Sequence, residues 1–262
     1  VSDPIDQAGV DILSQVAQVD QRPGLSPEEL VSVIGDYDGL MIRSGTQVTA
    51  EVIAAASKLK IIGRAGVGVD NVDVPAATQR GVLVVNSPEG NTIAAAEHAL
   101  AMMLSLSRHV PQAHAGMRAG KWDRKKYVGN ELYKKTLGVV GLGKIGSHVA
   151  RVARAMGMEV IAYDPFIAAD RAQQMQVRLT ELDELFRTAD YVTLHIPRTK
   201  DTENLVNAEL LRTMKPTARI VNCARGGVVD EAAIAEAINN GVIAGAGLDV
   251  YASEPLAEDS PL

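Results

Sequence analysis

Aromatic side chains are scarce in this chain of 262 residues, with only 2 Phe, 1 Trp and 6 Tyr. The core must therefore be filled by Val, Ile, Leu and Ala, which suit closely packed helix-on-sheet layers. Cysteine is nearly absent. Cys223 is the only one, which excludes an internal disulfide framework, and no CxxC or HExxH spacing exists to hold a zinc ion. A reducing, cytoplasmic setting is expected. Nor is there a basic excess: 26 Lys+Arg face 32 Asp+Glu, a net charge of −6, which argues against nucleic acid as a partner. Long apolar runs are missing too. The most apolar helical stretch, Ile93 to Leu106, is interrupted by Glu97 and His98 and is too short to span a bilayer. The first residues, Val1 to Asp6, have neither the basic start nor the apolar run of a signal peptide. At 47% hydrophobic and 22% charged, the composition is that of a soluble, core-forming protein with one large domain or two small ones.

Short apolar runs alternate with amphipathic segments along the chain. Residues 39–42, 60–63, 81–85, 137–140, 159–162, 191–194, 218–221 and 242–244 read as buried strands. Helical patterns fill the gaps, for example 28–34, 50–56, 145–156 and 231–238. Repeated strand then helix implies right-handed crossovers and a mostly parallel sheet, so an α/β class is expected. The turn Asn86-Ser87-Pro88-Glu89-Gly90-Asn91 breaks this pattern. We therefore expect one domain over 1–91 and a second over 92–262, the latter opening with a connecting helix from about Thr92 to Arg108.

Gly141-Leu-Gly143-Lys144-Ile145-Gly146 fits GxGxxG, a weak signal alone but stronger in context. An apolar strand runs into it and an amphipathic helix leaves it, with Ile145, Val149, Val152 and Met156 on one face. Gly141 permits the tight turn, Gly143 lets backbone N–H groups approach a pyrophosphate at the helix N-terminus, and Gly146 lets helix and strand pack closely. Asp164, about 18 residues beyond Gly146, stands near the spacing of the carboxylate that binds the adenosine ribose. A carboxylate there repels a 2′-phosphate, and no Lys or Arg lies between Pro165 and Asp170. The expected cofactor is NAD rather than NADP. A glycine-rich turn beside a chance aspartate is the alternative.

Ligands of open α/β sheets sit at the carboxyl ends of the strands. Those ends carry Arg64 to Asp70, His195-Ile-Pro197, Asn222-Cys-Ala-Arg225-Gly-Gly227 and Asp249-Val-Tyr-Ala-Ser-Glu254-Pro255. At these stretches, and at Gly63 to Asn71, the glycine loop with Asp164, Asn222 to Asp230 and Leu248 to Pro255, the chain resembles the NAD-dependent D-2-hydroxyacid dehydrogenases over essentially its whole length. The resemblance implies a Rossmann-type doubly wound parallel sheet beside a smaller, flavodoxin-like α/β substrate (lid) domain over 1–91 that lacks its return segment. It implies that Arg225 pairs with the substrate carboxylate and polarises the C2 oxygen, a task that suits a planar, always-charged guanidinium. Glu254 would orient the catalytic histidine, and Asp249 would hold the nicotinamide carboxamide. His195 and Pro197, with Cys223, would line the cofactor site, and the amides of Gly66, Val67 and Gly68 would hold the substrate carboxylate. Plainer readings stand beside these: Arg225 paired with Asp230 or Asp249, Glu254 as a solvated turn residue, Asp249 as a strand-end cap, and Cys223 as a small buried filler.

In this family the acid/base histidine stands beyond the Glu-Pro pair in a Pro-His segment. None of His98, His109, His114, His148 and His195 matches that place, so the expectation is a truncated chain that binds NAD but turns over poorly. Arg43 and Arg64 match basic positions of family members that oxidise 3-phosphoglycerate, and the Arg124-Lys125-Lys126 loop could reach the same phosphate from a second subunit or be a solvated loop. The expected reaction is NAD-dependent hydride transfer from C2 of a phosphorylated 2-hydroxy acid, in a homodimer or higher homo-oligomer. Alternatives are a glyoxylate or hydroxypyruvate reductase and an NAD(H)-sensing binding protein; a formate-type enzyme fits less well, having no phosphate for Arg43 and Arg64.

Overall fold

The computed structural model describes all 262 residues. They divide into two compact units, Val1–Thr92 and Ile93–Leu262. The first holds α1 (Gln7–Ser14), α2 (Pro27–Val33), β1 (Gly39–Ile42), α3 (Ala50–Ala55), β2 (Ile61–Arg64), α4 (Val74–Gln79) and β3 (Leu83–Asn86). Its helices start where the sequence supplies caps: Ser26 and Glu29 form a reciprocal capping box before α2, Thr49 caps α3 and Asp73 caps α4. The strands form a parallel sheet in the order β1-β2-β3. Its core gathers Leu30, Ile34, Ile42, Val52, Ile53 and Ile62. β3 is an edge strand, and its Leu83 and Val85 are 58% and 40% exposed. On the opposite edge the Ser2 amide donates to the Met41 carbonyl at 3.1 Å.

The second unit holds α5 (Thr92–Arg108), α6 (Val110–Arg118), β4 (Thr136–Val140), α7 (Lys144–Ala155), β5 (Glu159–Tyr163), α8 (Ala169–Gln174), β6 (Arg178–Leu179), α9 (Leu182–Thr188), β7 (Tyr191–Leu194), α10 (Ala208–Arg212), β8 (Arg219–Asn222), α11 (Glu231–Asn239) and β9 (Gly245–Leu248). All ladders are parallel, in the order β6-β5-β4-β7-β8-β9. That is the doubly wound Rossmann arrangement, with its switch point between β4 and β7. β7 and β8 are buried at every position, as expected of central strands covered on both faces. Val140, Leu194, Ile220, Val228 and Ile234 belong to one packed cluster, and Leu137, Val139, Val149 and Val221 to another. Each such side chain contributes about 2 kcal/mol on burial. No helix is long and apolar enough to cross a membrane.

The last strand lies later than the apolar run 242–244 suggests. Gly241, at φ +69°, ends α11, and the Val242 and Ile243 amides both donate back to the Ala237 carbonyl. Val242-Ile243 thus close the helix, with Ile243 buried, and the ladder to β8 starts only at Gly245. β3 likewise begins at Leu83, because Gly81, at φ +69°, finishes the α4 turn.

Candidate functional site

The glycine loop leaves β4 at the switch point. Gly141 sits at φ +93°, and a Cβ there would lie 2.6 Å from the His195 carbonyl oxygen, so the loops after β4 and β7 meet with no room for a side chain. Gly146 is equally constrained, since its Cβ would fall 1.9 Å from the Gly141 carbonyl oxygen. Gly143 differs. Nothing lies within 4 Å of its Cβ position, and it is the N-cap of α7 with no side chain capping the helix. Gly143 therefore brings no side chain to the positive, N-terminal end of α7, which leaves room for a pyrophosphate to approach the backbone there. Ile145 is half-buried against the core and Lys144 is exposed.

Asp164, at the end of β5, is held against this loop. One carboxylate oxygen accepts from the Leu142 amide at 2.7 Å and the other from the Phe166 amide at 2.9 Å. Each oxygen keeps a lone pair for a ribose hydroxyl. The residues present thus fit a dinucleotide: α7 for its pyrophosphate and Asp164 for its adenosine ribose.

His195 follows β7. Its Nε2 lies 3.0 Å from the Thr193 hydroxyl, and burial lowers its pKa to about 4. The ring is neutral at physiological pH and carries no charge into the site. Pro197 is exposed and its carbonyl accepts from the Thr202 hydroxyl at 2.7 Å.

Cys223, Arg225, Asp249 and Glu254 come from the loops after β8 and β9. Asn222 and Leu248 are register partners, so Cys223 and Asp249 leave adjacent strands at one level. Burial, aided by the negative charge of Asp249, pushes the Cys223 thiol up to about 12, which makes it a poor nucleophile. The Arg225 loop is fixed by Asn222, which is buried: its amide nitrogen donates to the Arg225 carbonyl at 2.9 Å and its oxygen accepts from the Ala224 amide at 3.1 Å. A Cβ at Gly226 would lie 1.7 Å from the Tyr251 carbonyl oxygen, so the Arg225 loop presses directly on the turn that carries Glu254. The Glu254 carboxylate is exposed and accepts from the Tyr251 amide at 3.0 Å. The same turn is tied to α11 by the Glu231 carboxylate, which accepts from the Ala252 amide at 2.6 Å. Asp249 is paired with His98 of α5, Oδ1 to Nε2 at 3.1 Å. Asn222, Glu231 and His98 are the positioning residues that sequence reasoning missed. Only Asn222 left a trace, an Asx residue at a strand end.

In the first unit, Arg43 follows β1 and Arg64 ends β2, which pair in register through Ile42 and Arg64. The Arg43 amide donates to the buried Asp3 carboxylate at 2.6 Å, and the Thr46 amide to the same oxygen at 3.1 Å. Asn71 donates to the Arg43 and Thr46 carbonyls. The Gly66 amide turns back to the Arg64 carbonyl at 2.8 Å, so it is spoken for within the loop. The loop beyond it is held by the Asn86 side-chain amide, which donates to the Val67 carbonyl at 2.6 Å. The lysine-rich segment 124–127 forms a single 3-10 turn, with Lys126 over the Tyr127 ring.

Residues 100–262 match the family model described as D-isomer specific 2-hydroxyacid dehydrogenase, NAD binding domain. The chain is 63% identical over 98% of its length to a D-3-phosphoglycerate dehydrogenase of Synechocystis sp., covering 47% of that protein. It is 50% identical over its whole length to the enzyme of that name from Archaeoglobus fulgidus, covering 50% of it. It thus spans about half the length of the curated relatives it matches. A crystal structure of a Thermus thermophilus protein superposes with a TM-score of 0.90 at 36% identity, over 99% of this chain and 84% of that one.

Proposed function

The chain belongs to the D-isomer specific 2-hydroxyacid dehydrogenase family, and from that membership we propose that it carries the NAD-binding and substrate-polarising parts of an enzyme that oxidises 3-phospho-D-glycerate to 3-phosphohydroxypyruvate, a step of serine biosynthesis. The observation that carries this reading is the junction at Gly226, where the loop bearing Arg225 and the turn bearing Glu254 are pressed together at the carboxyl end of the Rossmann sheet. NAD supplies the hydride acceptor. Around it, α7 and Gly143 would hold the pyrophosphate, Asp164 the adenosine ribose, and Asp249 with Cys223, His195 and Pro197 the nicotinamide end. Arg225 would grip the carboxylate of the hydroxy acid and draw electron density from the C2 oxygen, so that charge developing there meets a fixed cation. Glu254 would steady the acid/base histidine of the family. His195 is unsuited to that proton transfer, because its ring takes up a proton only near pH 4.

In the first unit, Arg43 and Arg64 would bind the phosphate, and the Val67 and Gly68 amides the carboxylate; we read this unit as the substrate domain, 1–91, and the rest as the NAD domain. Exposed Trp122 and Val128, at 73% and 74%, support a homodimer formed through the segment after α6. The single, unreactive cysteine supports a cytoplasmic setting.

The test is substrate-dependent NAD reduction by a chain that also carries the Pro-His segment with the family's acid/base histidine. Arg43→Ala should raise the KM for 3-phosphoglycerate far more than that for an unphosphorylated hydroxy acid, and Arg225→Ala should abolish turnover of both. Equal effects of Arg43→Ala on the two substrates would shift the assignment to a glyoxylate or hydroxypyruvate reductase.

A further inference from the structure

The side-chain ligand atoms of His98, Cys223 and Asp249 all lie within 4.8 Å of one another. They come from three elements far apart in the chain, which is why no sequence spacing betrays them. Their convergence is built by the backbone. Cys223 and Asp249 follow the register pair Asn222 and Leu248, and the Asp249 amide donates to the Asn222 carbonyl at 3.0 Å, so the two side chains rise side by side from strands about 4.8 Å apart. His98 is brought over them by α5. A Cβ at Gly247 would lie 3.2 Å from both the Met102 and Leu106 side chains, so α5 lies directly on β9. Met102 is one helical turn beyond His98, and Gly247 shares a strand face with Asp249. The helix thus delivers His98 to the end of β9, and its Nε2 already reaches Asp249 Oδ1 at 3.1 Å.

We propose that His98, Cys223 and Asp249 form a binding site for a borderline-soft divalent cation of the zinc class, and that its occupation shuts out the nicotinamide end of the cofactor. Imidazole nitrogen, thiolate sulfur and carboxylate oxygen are the three donor types that zinc accepts, and three protein ligands leave a fourth, open position. Hard cations such as magnesium take oxygen donors and have no use for the cysteine. On binding, the Cys223 thiol proton passes to solvent and the sulfur enters as thiolate. The metal site stands on geometry alone. The exclusion of cofactor rests on the reading of Cys223 and Asp249 as nicotinamide-site residues given above.

Cobalt titration of the 262-residue chain tests the site. One equivalent of Co²⁺ should raise a thiolate-to-cobalt charge-transfer band that zinc displaces. The band should vanish in Cys223→Ser, and His98→Ala should weaken binding about tenfold or more. A missing band in the native protein, or a band unchanged in Cys223→Ser, overturns the site; Cys223→Ala replaces the serine variant if the latter unfolds. NADH fluorescence then tests exclusion, with saturating zinc expected to raise the NADH Kd about tenfold. A cobalt band together with zinc-insensitive NADH binding overturns exclusion alone. A cobalt band in a chain that never binds NADH supports the metal site and overturns the dinucleotide reading, and exclusion with it.

Discussion

In the six-stranded unit, Cys223 and Asp249 stand level because Asn222 and Leu248 are register partners in a parallel ladder. In the three-stranded unit, Arg43 is held by a carboxylate 40 residues away, Asp3, and by the Asn71 amide. Both units offer charged groups at the carboxyl ends of parallel strands. In the six-stranded unit the ladder and a backbone-to-backbone contact at Gly226 are supplemented by the Asn222 and Glu231 side chains, whereas Arg43 depends on the side chains of Asp3 and Asn71 alone for its main-chain anchorage beyond β1. A ladder is insensitive to most side-chain changes but intolerant of added bulk where backbones touch. A side-chain tether can be cut by a single substitution.

The harshest test of the ladder-held end is Gly226→Ala. Its methyl would lie 1.7 Å from the Tyr251 carbonyl oxygen, so backbone must move; we expect a loss of about 3 kcal/mol in denaturant unfolding. Wild-type stability in this variant would show that the two loops are not in contact. Asp3→Ala tests the tethered end. It strips the acceptor from the Arg43 and Thr46 amides and should cost about 2.5 kcal/mol, with no change in NADH affinity; an unaltered urea midpoint would remove Asp3 from the account. pH probes the six-stranded unit through His195. His195 has its pKa lowered from 6.5 to about 4, so as pH falls through that window the unfolded chain takes up a proton that the folded ring refuses, and stability drops. His195→Gln should flatten the melting-temperature profile between those pH values, and a profile as steep as that of the native protein would remove His195 as its source. The smallest effect is expected at Asp164→Ala, which should weaken NAD binding about fivefold, close to 1 kcal/mol, and narrow the preference over NADP; calorimetry that finds NADP still rejected as before would count against Asp164 as the discriminator.

Much of the ladder-held end could be read directly from the sequence. The apolar run into Gly141, the amphipathic helix after it and the carboxylate at Asp164 are local signals, and the structure places that carboxylate on the Leu142 amide. Strand ends were legible for the same reason, except at β9, where Val242-Ile243 look like strand but bond back to α11. β6 escaped because two residues carry no periodicity. The supports were harder to see. Asp3, Asn71 and Glu231 hold main-chain groups 21 or more residues distant, and a side chain that satisfies a remote amide leaves no pattern around itself. His98 reads as a polar interruption of an apolar helix until β9 is laid against it.

β3 closes one side of its sheet with backbone groups paired only toward β2, and Leu83 and Val85 stand in solvent along it. An uncovered strand of this kind is a template for another of its own sort. The consequence concerns handling as much as chemistry: in concentrated solutions of this chain, time and protein concentration should favour slow self-association by strand addition at β3, beginning while the Rossmann unit is still fully native.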